Sequence, residues 1–484
     1  MTAALVVPTP PVGGLFDRRF RALTVGMVAL ISLLAFEALA VATAMPTIAD
    51  ALDGLRLYAL AFGGPAAAGV VTMVLAGMWS DARGPAAPVW HGVGWFVVGL
   101  VVAGTAPNMV QFVIGRVLQG LGSGLLIVAL YVVVARAYPE VLHRRVFAAF
   151  AAAWVVPSLV GPAIAGLIVQ YAGWRWVFLA VPALAAPAVL LIRPALRRLG
   201  NRSAEEGAGR DRPEEGEGRD RPAEEGRDRP VRGLAPGSVA RIGWAGGAAV
   251  SAGLLHVGGQ QRGTTAVVLV ALALGGLAVC VPRLLPAGVL RAARGLPTVI
   301  ALRGLAAAAF LGAEVFIPLL LTRERELAPA LAGAALAAGA VSWSVGSWVQ
   351  GRVRQPKSPA TLPRFGLLLM AAGVAAAAPL MLATAVPVVL GILAWAVAGL
   401  GIGMAYPSIS VLTLELSAPG EQGRSSSALQ LSDSLSGATV LAFTGALLAA
   451  TAAPGPGTYL AGFGVATGLA LLGGLIAGRV SLRT

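Results

Sequence analysis

The chain has 484 residues, of which 57% are hydrophobic and only 12% are charged, and its mean hydropathy is +0.80. Soluble domains average about 25% charged residues, so this composition predicts an integral membrane protein. The net charge of +14 does not indicate nucleic-acid binding, because the basic residues lie between apolar runs and not in one patch interleaved with aromatic residues. The single cysteine, Cys280, excludes an internal disulfide and a cysteine-based metal site.

A membrane-crossing helix needs about 20 apolar residues, and apolar runs of this kind follow one another along the chain. Arg18, Arg19 and Arg21 precede the first run, which is too long for a signal-peptide core of about 7–15 residues, so we expect it to be retained. The runs, numbered as spans 1 to 14, form a group of six, a central pair and a second group of six: 23–45, 57–79, 87–106, 110–135, 146–172, 175–192, 239–259, 264–282, 297–321, 328–350, 364–384, 386–414, 425–451 and 457–478.

These spans predict an all-α integral membrane fold with about 14 transmembrane helices. Two six-helix bundles, in 1–192 and 285–484, flank two additional helices in 237–284. Span 7 is glycine-rich and the weakest of the set. An arrangement of 12 spans without the central pair is the alternative.

A charged segment, 193–236, separates spans 6 and 7. It contains Gly-Arg-Asp-Arg-Pro three times, at Gly209–Pro213, Gly218–Pro222 and Gly226–Pro230. Because it has almost no apolar residues, it cannot pack a core and is predicted to be a disordered cytoplasmic linker. A solvated tether between the bundles is the first interpretation, and a regulatory or protein-docking segment is the second.

The distribution of positive charge predicts the orientation. With the N-terminus in the cytoplasm, 29 of the 36 Lys and Arg residues fall on the cytoplasmic side and five fall outside. The positive-inside rule therefore favours both termini in the cytoplasm. The bias towards Ala, Gly, Arg and Pro is typical of GC-rich bacterial genomes, so we expect a multi-pass protein of the bacterial inner membrane.

Two acids stand alone within long apolar stretches, Glu37 in Leu23–Met45 and Glu314 in Pro297–Leu321. Burying a carboxylate at bilayer depth costs at least about 2.5–3.5 kcal/mol, so such acids indicate a function, here the movement of protons or cations against a solute. Arg116 in span 4 needs a carboxylate or carbonyl partner for the same reason, and Glu37 is the candidate.

Other polar and aromatic side chains within the spans allow more than one interpretation. Arg303 is eleven residues before Glu314, on the same helix face, and is predicted to snorkel to the cytoplasmic interface. Asp433 in span 13 is a structural acid or a coupling acid. Gln119, Trp395, Met404 and Tyr406 are candidates for the lining of a solute cavity, whereas Trp343 and Trp348 are predicted to belong to aromatic belts at the interface.

The two outer groups of spans resemble each other. The segment Gly120–Gly124 matches Gly399–Gly403 at an offset of 279 residues. Glu37 and Glu314 are 277 residues apart, and Gly77–Arg83 has a faint echo in Gly346–Arg352. Parallel repeats of six spans are one transporter architecture, with the solute site between the halves near the midplane of the membrane.

Four segments give the chain a resemblance to the fourteen-helix drug:proton antiporter branch of the major facilitator superfamily. They are Gly77–Gly84 after span 2, Arg116–Gly122 in span 4, Gly161–Gly166 in span 5 and Trp174–Phe178 just beyond it. The matches depart from the family pattern at three places: Pro85 and Ala86 replace a basic pair, Ala165 replaces a glycine, and Glu37 stands where the branch usually has an aspartate.

The resemblance implies a proton-coupled exporter of apolar or amphipathic small molecules that works by alternating access, with no cofactor and no metal. Its partners would be protons, the solute and the lipid bilayer, without nucleic acid, and we expect it to act as a monomer. Exporters of a specific metabolite, peptide or lipid, and a non-transporting sensor, are the alternatives. The residues implied are a proton-coupling set (Glu37, Arg116, Glu314 and Asp433), a cytoplasmic gate motif (Gly77, Asp81, Arg83 and Gly84) and an exporter helix-break motif (Gly161, Pro162 and Gly166).

Catalytic and ATP-binding motifs do not occur in the sequence. There is no phosphate-binding Gly-x-x-x-x-Gly-Lys loop and no His-Glu-x-x-His pair. His91, His143 and His256 lie in different segments without a ligand-like spacing. We therefore expect neither ATP-driven pumping by this chain nor an enzyme.

The arrangement of six, two and six spans places the linker and both termini on one side of the membrane. Cysteines introduced at Ser203, Ala360 and Ser481 should react with a membrane-impermeant thiol reagent only from the cytoplasmic side, which labelling of intact and opened cells measures. Labelling of Ala360 from the outside together with labelling of Ser203 from the inside would mean that the spans between them are miscounted.

Overall fold

The computed structural model describes residues 14–210, 238–258, 261, 263–353, 358–449 and 455–481. Fifteen α-helices and three short 3-10 segments occur in these residues. The α-helices are α1 (Arg21–Ala51), α2 (Tyr58–Arg83), α3 (Ala86–Gly104), α4 (Met109–Ala137), α5 (Glu140–Tyr171), α6 (Arg175–Arg210), α7 (Ser238–Gly258), α8 (Thr264–Leu284), α9 (Leu296–Glu314), α10 (Phe316–Arg323), α11 (Pro329–Arg352), α12 (Thr361–Leu382), α13 (Val388–Glu415), α14 (Gln422–Ala449) and α15 (Pro456–Ile476).

The predicted all-α membrane fold is confirmed. In the described part of the chain, thirteen helical segments are long and apolar enough to cross a membrane, with α9 and α10 together forming one of them. The helix α7 is not in this set, because its glycines, Arg241 and His256 make it less apolar. It corresponds to span 7, the weakest in the sequence.

The helices pack as two halves with an additional pair beside them. In the first half α1 packs on α5 and α6, α2 packs on α4, and α3 packs on α4 and α6. In the second half α9 packs on α14 and α15, and α11 and α12 pack on α13. The halves meet along α2–α14 and α5–α11, and the pair α7–α8 packs mainly through α7 against α2.

The internal repeat in the sequence reappears as a repeated helix contact. A Cβ placed on Gly120 of α4 would lie 2.2 Å from the carbonyl oxygen of Pro65 in α2, and one placed on Gly399 of α13 would lie 2.2 Å from the carbonyl oxygen of Gly339 in α11. Both glycines therefore bring two helix backbones into direct contact. The repeat between Gly120–Gly124 and Gly399–Gly403 therefore coincides with close helix packing in both halves.

Prolines inside the helices leave backbone carbonyls without a helical partner, since each proline lacks the N–H that would bond four residues back. Water cannot replace that partner in a bilayer core. Three of these carbonyls instead accept a hydrogen bond from a side chain on a neighbouring helix: Ala61, freed by Pro65, from Arg116 Nε at 3.2 Å; Ala153, freed by Pro157, from Ser32 Oγ at 3.0 Å; and Gly403, freed by Pro407, from Ser347 Oγ at 3.0 Å.

The predicted span 9 lies within one membrane-crossing segment, Leu296–Arg323. Inside this segment α9 ends at Glu314 and α10 begins at Phe316, because Pro318 lacks the N–H that would bond the Glu314 carbonyl. One predicted boundary is wrong: the linker does not begin at Arg193, because α6 continues to Arg210. Ile192, Leu196 and Leu199 recur at helical spacing and are buried, which extends the packed face of α6. The rest of the predicted linker, 211–236, lies outside the described residues.

The hydrogen bond from Ser32 to the Ala153 carbonyl can be tested by a double-mutant cycle with Pro157. Ser32→Ala should lower the free energy of unfolding in detergent by about 1 kcal/mol, because the carbonyl loses the donor that replaces the missing helical N–H. In a Pro157→Ala background the helix supplies its own N–H, so Ser32→Ala should cost much less there. Equal costs in both backgrounds would show that Ser32 does not compensate for the proline.

Candidate functional site

The first polar cluster at membrane depth joins α1, α2 and α4. Arg116 Nη1 donates to Glu37 Oε1, so the predicted contact between these two side chains is present. The same nitrogen donates to Gln119 Oε1 at 2.8 Å, and Nε donates to the carbonyl oxygen of Ala61. Glu37, Arg116 and Gln119 are all buried.

This arrangement gives the N–H donors of the Arg116 guanidinium three hydrogen-bond acceptors. An ion pair taken out of water is tolerated only when hydrogen bonds satisfy its remaining donors, and removing one partner typically costs about 3–5 kcal/mol. Here the Ala61 carbonyl is available because Pro65 cannot donate to it. The hydrogen bond that Pro65 cannot make in α2 therefore leaves a carbonyl that supports the charge pair between α1 and α4.

The second polar cluster lies in the other half, on α9, α13 and α14. Arg303 Nε donates to Asp433 Oδ1 at 3.2 Å and Nη2 to Asp433 Oδ2 at 3.4 Å, while Nη1 donates to Ser410 Oγ at 3.3 Å. Tyr406 also donates to Asp433, at 2.7 Å, and the Arg303 guanidinium lies 3.6 Å from the centre of the Tyr406 ring.

The prediction that Arg303 snorkels to the interface is wrong. The residue is only 6% exposed, and its partner is an acid on α14, 130 positions further along the chain. The cluster also reaches the first half, because the hydroxyls of Tyr131 on α4 and Ser410 on α13 are 3.5 Å apart. Ser410 and Tyr131 were not identified from the sequence, which contains many hydroxyl residues within spans.

Glu314 differs from Glu37, although each lies in the first span of its six-helix group. It is half-buried, and it has neither a hydrogen bond nor an ion pair among the contacts of the described residues. The offset of 279 places Trp395 where the first half has Arg116. The second half therefore keeps the acid without the matching cation.

An aromatic cluster packs on the same face of α9. Phe310 stacks on Trp395 with ring centres 4.6 Å apart, and Trp343 is 5.0 Å from Phe310 and 5.1 Å from Tyr406. Trp343 was predicted to belong to an aromatic belt, and that assignment is wrong, because its ring packs between helices. Phe310 precedes Glu314 by one helical turn, a spacing that would have identified it from the sequence.

The predicted cavity lining is only partly accessible in this structure. Trp395 is completely buried and Met404 is 8% exposed, so neither presents a surface to a solute in this conformation. Gln119 is hydrogen-bonded to Arg116 in the first half, away from the other three residues. Tyr406 is half-buried and bonded to Asp433.

The gate motif joins the two halves at the end of the bundle where α2 ends and α14 begins, the predicted cytoplasmic end. Asp81 accepts a hydrogen bond from the backbone N–H of Gly423 at 2.6 Å and another from Arg424 at 2.8 Å. The carboxylate thus binds the first turn of α14, where unpaired N–H groups and the helix dipole favour an anion. A Cβ on Gly77 would lie 2.7 Å from the Gly423 carbonyl, so this glycine permits the close approach.

The other gate residues terminate α2. Gly84 has φ = +83°, a conformation that residues with a side chain rarely adopt, and it follows the exposed Arg83. Arg136 of α4 donates to the Ser80 carbonyl at 3.1 Å, directly beside Asp81.

The exporter helix-break motif lies within a continuous helix, α5, which contains both Pro157 and Pro162. A Cβ on Gly161 would lie 3.6 Å from Phe36, an ordinary contact, and one on Gly166 would meet nothing within 4 Å. Close helix packing therefore does not require glycine at either position.

Comparisons with known proteins agree with this architecture. The family model described as the Major Facilitator Superfamily matches residues 25–441. A probable multidrug-efflux transporter of Mycobacterium tuberculosis is 29% identical over 421 residues, covering 83% of this chain and 82% of its own length.

Solved structures share the fold at low identity. The human organic anion transporter MFSD10 aligns with a TM-score of 0.66 and 14% identity, covering 97% of this chain and all of its own. The fucose:proton symporter of Escherichia coli aligns with a TM-score of 0.58 and 14% identity, covering 96% of this chain and all of its own. The same fold thus serves different solutes, and it does not identify the solute of this chain.

The glycines of the motifs should respond differently to alanine. Gly120→Ala should lower the free energy of unfolding by about 1–3 kcal/mol, because the added methyl group collides with the Pro65 backbone. Gly166→Ala is the matched control and should leave stability unchanged, because nothing lies near its Cβ position. Thermal challenge followed by size-exclusion chromatography measures both. A stable Gly120→Ala protein would contradict the close α2–α4 contact.

Proposed function

The chain belongs to the major facilitator superfamily, and we propose that it is a proton-driven exporter of apolar or amphipathic small molecules. Membership makes it a multi-pass membrane transporter of small molecules and not an enzyme. The observation on which the proposed coupling depends is the buried pair of Glu37 and Arg116. Placement in a bacterial inner membrane, cytoplasmic termini, action as a monomer and the absence of nucleic-acid partners are parts of the same proposal.

A proton on Glu37 changes the balance of this cluster but leaves the cation with two neutral hydrogen-bond acceptors. Protonation removes the charge of Glu37 and its attraction for Arg116. The guanidinium keeps Gln119 and the Ala61 carbonyl as acceptors, so it stays in place while α1 is released. A proton taken up from one side of the membrane can in this way be converted into a rearrangement of α1 against α4.

The arrangement of the halves supports alternating access. In this structure Asp81 of α2 binds the first turn of α14, and Tyr131 of α4 contacts Ser410 of α13. These contacts close the halves against each other at the predicted cytoplasmic end. Opening that end must break them, so they define a latch between two conformations.

Efflux and the class of solute are supported by the likeness to the probable multidrug-efflux transporter, which covers most of both chains. The spans are mainly Ala, Val, Leu and Gly, so a cavity between the halves has few fixed polar groups and favours loose selectivity. Glu314, which has no partner among the described contacts, can pair with a basic group on the solute. Export of a specific metabolite, peptide or lipid on the same fold is the alternative.

A substitution at Glu37 separates coupling from transport itself. Glu37→Gln keeps a hydrogen-bond acceptor for Arg116 but cannot exchange a proton at neutral pH. In proteoliposomes the variant should exchange a lipophilic fluorescent dye between the two sides without a gradient. It should fail to accumulate the dye against a concentration gradient when a pH gradient is imposed, where the unmodified protein succeeds.

Glu314→Gln and Asp433→Asn are the matched controls, since each removes one acid from the second half. Both are expected to keep uphill transport, with Glu314→Gln weakening apparent affinity mainly for cationic dyes. Uphill transport by Glu37→Gln at the rate of the unmodified protein would refute coupling through Glu37. If Asp433→Asn were the one variant that lost uphill transport, coupling would be assigned to the Arg303–Asp433 cluster.

A further inference from the structure

The additional pair α7–α8 carries positive charge at one end. The sequence from Val231 to Ala313, which contains both helices, includes no Asp and no Glu. Arg241 lies in the first turn of α7 and Arg283 in the last turn of α8. The two helices pack antiparallel, so both arginines lie at the same end of the pair, next to the start of α14. This is the predicted cytoplasmic end.

Neither arginine is paired with a carboxylate among the described residues. Arg241 Nη2 donates to the Leu284 carbonyl oxygen at 3.5 Å. Arg283 donates to the Val279 carbonyl, and its guanidinium lies 4.5 Å from the centre of the Trp244 ring. A guanidinium has five N–H donors, and each of these two uses one of them in the described contacts. Both therefore keep donors for an acceptor from outside the protein.

A third arginine, on α14, increases the positive charge at this place. Arg424 is close enough to Arg241 for the two guanidinium groups to repel each other. Two acids contact Arg424: Asp81 accepts from its backbone N–H, and Glu421 lies 3.8 Å from its guanidinium. The pair with Glu421 is more than half exposed, and such pairs contribute little. A bound anion would relieve the repulsion between the arginines.

An apolar face of α8 continues from Arg283 towards the other end of the helix. Val279, Leu272 and Val268 precede Arg283 by 4, 11 and 15 residues, intervals that place all four on one helix face. The three apolar side chains are exposed in the structure. A cationic group at the end of an exposed apolar face matches an amphiphile that has an anionic headgroup and an apolar tail.

The residue types agree with a phosphate headgroup at the membrane surface. Arginine binds phosphate through two parallel N–H bonds, and tryptophan is enriched at the level of the headgroups. The positive-inside rule alone explains single arginines at this end, such as the exposed Arg197 and Arg198 of α6. It does not require arginines of three helices to converge, whereas basic pockets between helices do bind lipid headgroups.

We propose that the predicted cytoplasmic end of the α7–α8 pair binds the phosphate headgroup of an anionic phospholipid. Arg241 and Arg283 donate to the phosphate oxygens, and Arg424 adds its charge. Trp244 holds the Arg283 guanidinium at the level of the headgroup. An acyl chain of the same lipid lies along the exposed apolar face of α8. The additional helices thus provide a lipid site, which is independent of the direction and the coupling of transport.

Native mass spectrometry of the purified protein with added phosphatidylglycerol measures the binding. The double variant Arg241→Gln/Arg283→Gln should bind this lipid at least about fivefold more weakly than the unmodified protein, because two phosphate contacts are lost. Arg197→Gln/Arg198→Gln is the matched control: it removes the same charge at the same end and should bind as the unmodified protein does. Equal weakening in both variants would indicate general attraction to a basic surface and would overturn the proposal.

Thermal unfolding distinguishes a lipid from a free phosphate. Phosphatidylglycerol should raise the midpoint of the unmodified protein, whereas phosphatidylcholine and glycerol phosphate should leave it unchanged. Equal stabilisation by glycerol phosphate would contradict the contact with the acyl chain. If phosphatidylglycerol bound only after deletion of residues 211–230, acids of the chain itself would be the occupants and the lipid site would be refuted.

Trp244 gives a local measurement that does not require the arginine variants to fold. Phosphatidylglycerol with brominated acyl chains should quench the fluorescence that Trp244→Phe removes, and brominated phosphatidylcholine at the same concentration should quench it less. Arg241→Lys/Arg283→Lys keeps the charge but not the paired N–H donors, so its quenching should be intermediate. Equal quenching of Trp244 by both lipids would mean that the headgroup is not recognised.

Discussion

A freed backbone carbonyl or a guanidinium in the hydrocarbon region of this protein needs a partner inside the protein, because the bilayer core supplies no water. This constraint explains contacts that otherwise look unrelated. Three carbonyls freed by prolines accept from side chains on neighbouring helices, and one of those side chains is Arg116. Arg303 binds an acid, a hydroxyl and an aromatic face. Carbonyls freed by prolines and polar side chains on neighbouring helices therefore stabilise each other.

The two halves share a fold but not a chemistry. Gly120 and Gly399 make the same close helix contact, so the repeat is preserved where backbones touch. The charged positions have diverged. Glu37 has a guanidinium partner, Arg116, whereas the half that contains Glu314 has Trp395 at the position of that arginine. In the proposed mechanism this divergence separates proton coupling, in the first half, from contact with the solute, in the second.

The sequence was sufficient for the features that depend on local pattern. Apolar runs located the spans, and the cost of an unpaired guanidinium identified Glu37 as the partner of Arg116. It was not sufficient where tertiary contacts decide. Arg303 lies close enough to a span end to snorkel, and only the packing of α9 against α14 brings Asp433 to it. The extension of α6 could not be recognised from the sequence, because arginines lie between Ile192, Leu196 and Leu199 and end the apolar run that marks span 6.

The coupling pair and the latch share one helix, and this connects proton uptake with opening in the proposed mechanism. Ala61, which accepts from Arg116, and Asp81, which accepts from α14, lie at opposite ends of α2, about 30 Å apart along the axis. Glu37 belongs to α1, which packs on α5 and bonds to it through Ser32. Neutralising Glu37 therefore weakens the attachment of α1 to Arg116, while Arg116 stays bonded to α2 through Ala61. A proton at membrane depth can thus act on the helix whose other end carries the latch at the predicted cytoplasmic end.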